Sequence, residues 1–114
     1  MLTSLKPLAS ATKLEIEEIV STGKEFALDI CMCLSPGLDV VYSSQDHRTK
    51  AVNKFLEFLE LGVSHIGLLW DDIEWDFTSD EDRKVFEFVE DAQAEFSNYV
   101  VEQVRNHPNF KRMI

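Results

Sequence analysis

The chain is expected to be α/β, with helices and parallel strands in the order α-β-α-β-α. Two observations predict this. Two short apolar runs, Phe26 to Leu34 and Val63 to Trp70, read as strands. Each is followed by a turn and then by a segment with apolar residues at helical spacing. Strands that alternate with helices pair in parallel through right-handed crossovers, so the loops after both strands should emerge on one edge of the sheet.

The first helix is expected over Leu8 to Val20, with Leu14, Ile16, Ile19 and Val20 as its apolar positions. Ser10 or Thr12 can cap it, and Gly23 suits the left-handed residue that follows a helix end. The run from Phe26 to Leu34 is nearly continuous in apolar character, which predicts a strand covered on both faces, with Asp29 turned toward a polar interior. Cys31 and Cys33 stand two apart on it, too close for an ordinary disulfide and without the further cysteines of a zinc site, and are expected as buried thiols. Ser35-Pro36-Gly37-Leu38-Asp39 ends the strand in a Pro-Gly turn.

A second helix is predicted from Gln45 to Leu61, with Val52, Phe55, Leu56 and Leu59 on one face and Gly62 stopping it. After the second strand, Thr78 or Ser79 opens a third helix, with Glu81 and Asp82 placed for a capping box. Val85, Phe88, Val89, Ala92, Phe96, Tyr99 and Val100 continue the spacing until Asn106-His107-Pro108 ends it.

The chain has 114 residues, of which 45% are hydrophobic, enough for one domain with a core of its own. A formal charge of −10 excludes nucleic acid and anionic membrane as partners, because no basic stripe offsets phosphate repulsion. Acids concentrate between Asp71 and Glu95, and most of them should form a solvated helix face. No stretch approaches the ~20 apolar residues of a membrane span, and the first residues lack a leader's apolar region. A reducing compartment, cytoplasmic or nuclear, is the expected setting.

The candidate site is Asp71-Asp72, where the second apolar run ends abruptly in two carboxylates. The C-terminal ends of strands are where α/β folds keep their chemistry. Neighbouring carboxyls can divide labour, one held protonated as a general acid while the other stays charged. The commoner meaning of such a pair is a solvated strand end. A third reading is a hard-cation site, since Glu74 and Asp76 crowd the same loop. The spacing disfavours it: counted from Asp71, an EF-hand would need Gly and Glu where Asp76 and Asp82 stand. No metal or cofactor is therefore expected. Phosphate-binding glycine loops and nucleophile elbows are absent, and His47, His65 and His107 are isolated, with structural roles expected for each. Trp70 and Trp75 flank the acids; such rings suit a sugar, though Trp70 suits the core equally well.

Taken together, Leu34-Ser35-Pro36-Gly37-Leu38-Asp39-Val40 and Leu68-Leu69-Trp70-Asp71-Asp72-Ile73 closely resemble glycoside hydrolase family 84, the O-GlcNAcase family. The resemblance continues through Ala92-Gln93 and covers roughly Phe26 to Val104. It implies that residues 1–114 are part of a catalytic (β/α)8 barrel, a TIM barrel fragment, from a β-N-acetylglucosaminidase that acts on Ser and Thr of O-GlcNAc-modified proteins. It further implies retention through a sugar-derived oxazoline, with no metal. By position, Asp71 would accept and polarise the substrate's acetamido N–H, and Asp72 would serve as general acid and then general base.

A whole barrel takes about 250 residues. The sequence holds two strand-helix units and none of the family's glycine-rich first loop, sugar-contacting lysine or later pocket groups, so the 114 residues alone are expected to be inactive. The alternative is a non-catalytic barrel piece that binds a partner or self-associates through open sheet edges.

Overall fold

A computed structural model of the chain describes residues 5–36, 40–70 and 79–114. Strands β1 (Cys31–Leu34), β2 (His65–Leu68) and β3 (Arg112–Met113) form one parallel sheet in the order β1-β2-β3. Cys31 pairs with His65 and Leu34 with Leu68, while His65 and Ile66 pair with Arg112 and Met113. The α/β class and the parallel pairing expected from the sequence are both present. β3 is an addition: two residues are too few to show any periodicity, and Ile114 N–H reaches the Ile66 carbonyl at 2.7 Å only once the chain has folded back.

Helix α1 (Ser10–Glu25) runs five residues past its predicted end. Gly23 lies inside it rather than beyond it, at a point where a Cβ would sit 3.0 Å from Ile30 Cδ1. The left-handed position goes instead to Ala27, at φ 55°. Leu28 N–H bonds the Gly23 carbonyl at 2.8 Å and Ala27 N–H the Lys24 carbonyl at 3.2 Å, the two reversed bonds of a Schellman ending. Ala9 occupies the N-cap without a side-chain bond, so neither Ser10 nor Thr12 serves there.

Helix α2 (Gln45–Glu60) agrees with its spacing, burying Val52, Phe55 and Leu59 and ending at Gly62, whose φ is 101°. Ser44 caps it by accepting from His47 N–H. The third predicted helix is divided into α3 (Asp80–Val85) and α4 (Val89–Val104), with Phe86 and Phe88 both extended. The break turns Val85 and Phe88 outward, at 62% and 56% exposure, and buries Phe86 in their place. Asp82 and Phe86, one turn apart, make the buried side of this segment. Helical periodicity misses that arrangement because it ranks a carboxylate as a surface residue.

The core lies on one side of the sheet. Leu34, Ile66 and Leu68 join Phe55, Leu59, Phe96 and Val100 in a single buried cluster with Ile16 and Val20 of α1, and Met32 packs against it. The alternate strand positions face the other way, where Cys31 and Cys33 are exposed and His65 is half-buried. This corrects two expectations, a strand covered on both faces and buried thiols. Among the described residues no second layer covers that face. Asp29, expected in a polar interior, is exposed just before β1 and pairs with Lys111 Nζ at 3.0 Å.

Candidate functional site

Both candidate loops leave the same edge of the sheet, as parallel pairing requires. At that edge Leu69 N–H bonds the Leu34 carbonyl at 2.8 Å, so the chain enters Ser35-Pro36 and Leu69-Trp70 side by side. Gly37, Leu38 and Asp39, and the whole of 71–78 with Asp71, Asp72, Glu74, Trp75 and Asp76, lie outside the described residues. Both catalytic candidates are therefore known here through what flanks them.

Their near flank is held by rings. Trp70 packs 5.5 Å from Tyr42 and 5.7 Å from Phe96, and Tyr42 meets Phe96 edge-on at 6.3 Å. The Trp70 indole N–H donates to Ser97 Oγ at 3.4 Å. The residue immediately before Asp71 is thus fastened to α4 and to the chain returning from the first loop. Core packing is the role the structure gives Trp70.

The far flank is held by Asp82, which is 1% exposed at the start of α3. Its carboxylate accepts from Tyr42 N–H at 2.9 Å, Ser43 N–H at 2.8 Å and Ser43 Oγ–H at 2.8 Å. Ser79 Oγ accepts from Glu81 N–H, so the N-cap is present, while Asp82 faces residues 42 and 43. The remaining acids of α3 and α4 are exposed, in keeping with a solvated face. Arg48 Nε donates to the Tyr42 carbonyl at 2.8 Å, and Gln93 Nε2 to Tyr42 Oη at 3.3 Å. Burial pushes the Tyr42 phenol above its usual range, and the Asp82 charge adds to this while the Gln93 bond opposes it.

Sequence reasoning overlooked Asp82, Tyr42 and Arg48 as positioning groups. One signal was available: an acid at the third position of a helix whose predicted partner was only its own cap. Of the histidines, His47 Nδ1 accepts from Val41 N–H at 2.9 Å, and His107 Nδ1 accepts from Asn109 N–H at 3.1 Å. Both are structural, as expected. Among the described residues, no three His, Cys, Asp or Glu side chains gather as metal ligands.

The described site is thus a two-loop edge with its flanks tied together, the Trp70 rings on one side and the Asp82 carboxylate on the other. A family model described as beta-N-acetylglucosaminidase matches residues 6–114. The chain belongs to the β-N-acetylglucosaminidase family. Relatives of this family include protein O-GlcNAcase of Rattus norvegicus and of Mus musculus, each 23% identical over 96 residues. Those residues make up 84% of this chain and 10% of each relative's length. A solved structure of a mutant O-GlcNAc hydrolase from Thermobaculum terrenum superposes with a TM-score of 0.88 at 26% identity, over 96% of this chain and 24% of that one. This chain therefore spans about a tenth of the mammalian relatives and about a quarter of the bacterial chain. Within the β-N-acetylglucosaminidase family it corresponds to part of a catalytic domain.

Proposed function

We propose that this chain supplies the acid pair of a retaining protein O-GlcNAcase, removing N-acetylglucosamine from Ser and Thr of proteins in the cytoplasm or nucleus. The reading is carried by the family match over residues 6–114. The shared departure edge of β1 and β2 supports it, because the described chain leaves Leu34 and Leu68 side by side, in the direction of both candidate segments. In this mechanism the substrate's 2-acetamido oxygen attacks C1 and forms an oxazoline while the glycosidic oxygen takes a proton from Asp72. Asp71 accepts the acetamido N–H, which makes that oxygen more nucleophilic. Water, deprotonated by Asp72, then opens the oxazoline at C1 with net retention.

The test uses the 114-residue chain alone and a polypeptide in which it is joined to the remainder of the barrel. The joined form is expected to hydrolyse both a chromogenic aryl N-acetylglucosaminide and an O-GlcNAc peptide, and the 114 residues alone neither. Asp72→Asn should lose peptide turnover by about 100-fold or more, the scale of general acid catalysis. The activated aryl substrate should suffer less, since its leaving group needs less protonation. Equal loss on both substrates would sink the acid role.

A second reading is favoured by one observation. Leu14, Ile19, Phe26 and Leu28 are 52–69% exposed along α1 and the segment after it. A surface of this kind suits self-association or a partner. Size-exclusion chromatography of the 114 residues should then give a species larger than 13.1 kDa; a clean monomer removes this alternative.

A further inference from the structure

Both candidate acids fall in residues 71–78, and the described chain runs up to them through Trp70 and resumes at Ser79. The two sides are fastened to a single residue, Tyr42. Before the acids, the Trp70 ring packs 5.5 Å from the Tyr42 ring. After them, the carboxylate of Asp82, in the first turn of α3, accepts from Tyr42 N–H at 2.9 Å.

Tyr42 is a fixed point in its own right. Arg48 Nε donates to its carbonyl at 2.8 Å, Gln93 Nε2 to its phenol oxygen at 3.3 Å, and Phe96 meets its ring edge-on. The residue before it is held as well, Val41 N–H donating to His47 Nδ1 at 2.9 Å. Side chains of α2 and α4 thus hold this irregular stretch in place from two directions.

Asp82 adds what packing alone does not supply. Phe86, one turn further along, is buried and already holds α3 against the body of the fold. The carboxylate contributes direction: with Ser43 N–H and Ser43 Oγ–H, each at 2.8 Å, it takes three donors from two adjacent residues. Charge-assisted bonds are about twice as strong as neutral ones, so together they fix where α3 starts relative to Tyr42. Catalytic groups must sit within about 0.5 Å of the productive geometry, and a displacement of about 1 Å costs about 100-fold in rate. Anchoring both sides of the acids to one residue answers that demand.

We infer that Asp82 is a positioning residue for the hydrolysis proposed above: with Trp70 it ties both sides of the acid-bearing segment to Tyr42, and its loss slows the chemical step while substrate binding is kept. The inference rests on the hydrolase reading. Asp82 acts through Asp71 and Asp72, not on the substrate itself. Its tie lies wholly among buried and half-buried groups of this chain, with Asp82 1% and Tyr42 8% exposed.

The test uses the polypeptide in which this chain is joined to the remainder of the barrel, assayed well below its Tm. Asp82→Ala should lower kcat on an O-GlcNAc peptide by about 100-fold with KM nearly unchanged. Asp82→Asn keeps one acceptor and should lose less, and Ser43→Ala, which removes the hydroxyl donor, less again. Leu59→Ala is the control: it opens a cavity near the end of α2 farthest from these loops, and should lower Tm while leaving kcat in place. The basic limb of the kcat profile, which reports the general acid, should move to lower pH in Asp82→Ala as the paired carboxyls come apart, and stay put in Leu59→Ala. Should Asp82→Ala fail to fold, Asp82→Asn and Ser43→Ala decide the matter by the same loss of kcat at constant KM. An inactive native polypeptide would remove the hydrolase reading and this inference with it. With an active one, the inference alone is overturned by an unchanged kcat in Asp82→Ala, by a loss taken up in KM, or by an equal loss in Leu59→Ala. It is also overturned if Asp82→Asn shifts the basic limb as far as Asp82→Ala yet keeps its kcat, which would be an effect of charge and not of position.

Discussion

The two faces of the sheet differ in what they are built to do. On the helix side, Phe55, Leu59, Ile66 and Phe96 are fully buried in one cluster. On the other side, Cys31 and Cys33 meet solvent and Gly67 supplies no side chain at all. Strands of four, four and two residues gain little from pairing alone, so the helices must supply most of the stability. The difference teaches that the helices bury one side of the sheet, while among the described residues nothing packs on the other.

Mutations should show that asymmetry. Phe96→Ala on the helix side is expected to cost about 3–5 kcal/mol in urea unfolding, whereas Cys33→Ser on the open side should stay within about 0.5 kcal/mol. Similar losses at both positions would break the contrast. Asp82→Ala is the next largest: it strands two backbone N–H groups and should cost about 3 kcal/mol, most visibly as disorder at residues 42 and 43 in NMR spectra. Asp82→Asn should cost less, because one amide oxygen still accepts. If Asp82→Ala proves neutral, the tie between α3 and the first loop is ornamental.

Alkaline titration sharpens the comparison further. The Tyr42 phenol is raised in the folded state, so the folded chain holds this proton more tightly than the unfolded chain. Its contribution is complete below the ordinary tyrosine value of about 10 and is lost as pH climbs from there through the folded value. Denaturant midpoints should fall above pH 10, and Tyr42→Phe should flatten that fall. A small effect of opposite sign is expected of Ala27→Gly, which relieves a left-handed alanine and should stabilise by about 0.5–1 kcal/mol. Unchanged stability there would mean that the Schellman ending tolerates its alanine freely.

The sequence made the helix side legible because burial on one face leaves a period: Val52, Phe55 and Leu59 are spaced as a helix and buried as one. It made the parallel pairing legible through alternation of elements. It did not separate the two faces of β1, since Cys31 and Cys33 read as apolar as Met32 and Leu34. Nor did it reveal β3, too short to carry a pattern, or the break at Phe86, where a buried carboxylate outranks helical spacing. The Asp71-Asp72 pair was legible only as a motif; its flanking supports, Tyr42 and Asp82, are 40 residues apart and meet only through folding.

The Asp82 carboxylate has a further consequence for the timing of exchange with solvent. Tyr42 and Ser43 belong to no helix or strand, yet their amides are bonded to a side chain rooted in α3. Those protons exchange with deuterium only when α3 lets go. In deuterium oxide the two amides should persist as long as those of the helix, marking one stretch of irregular chain as part of the same cooperative unit.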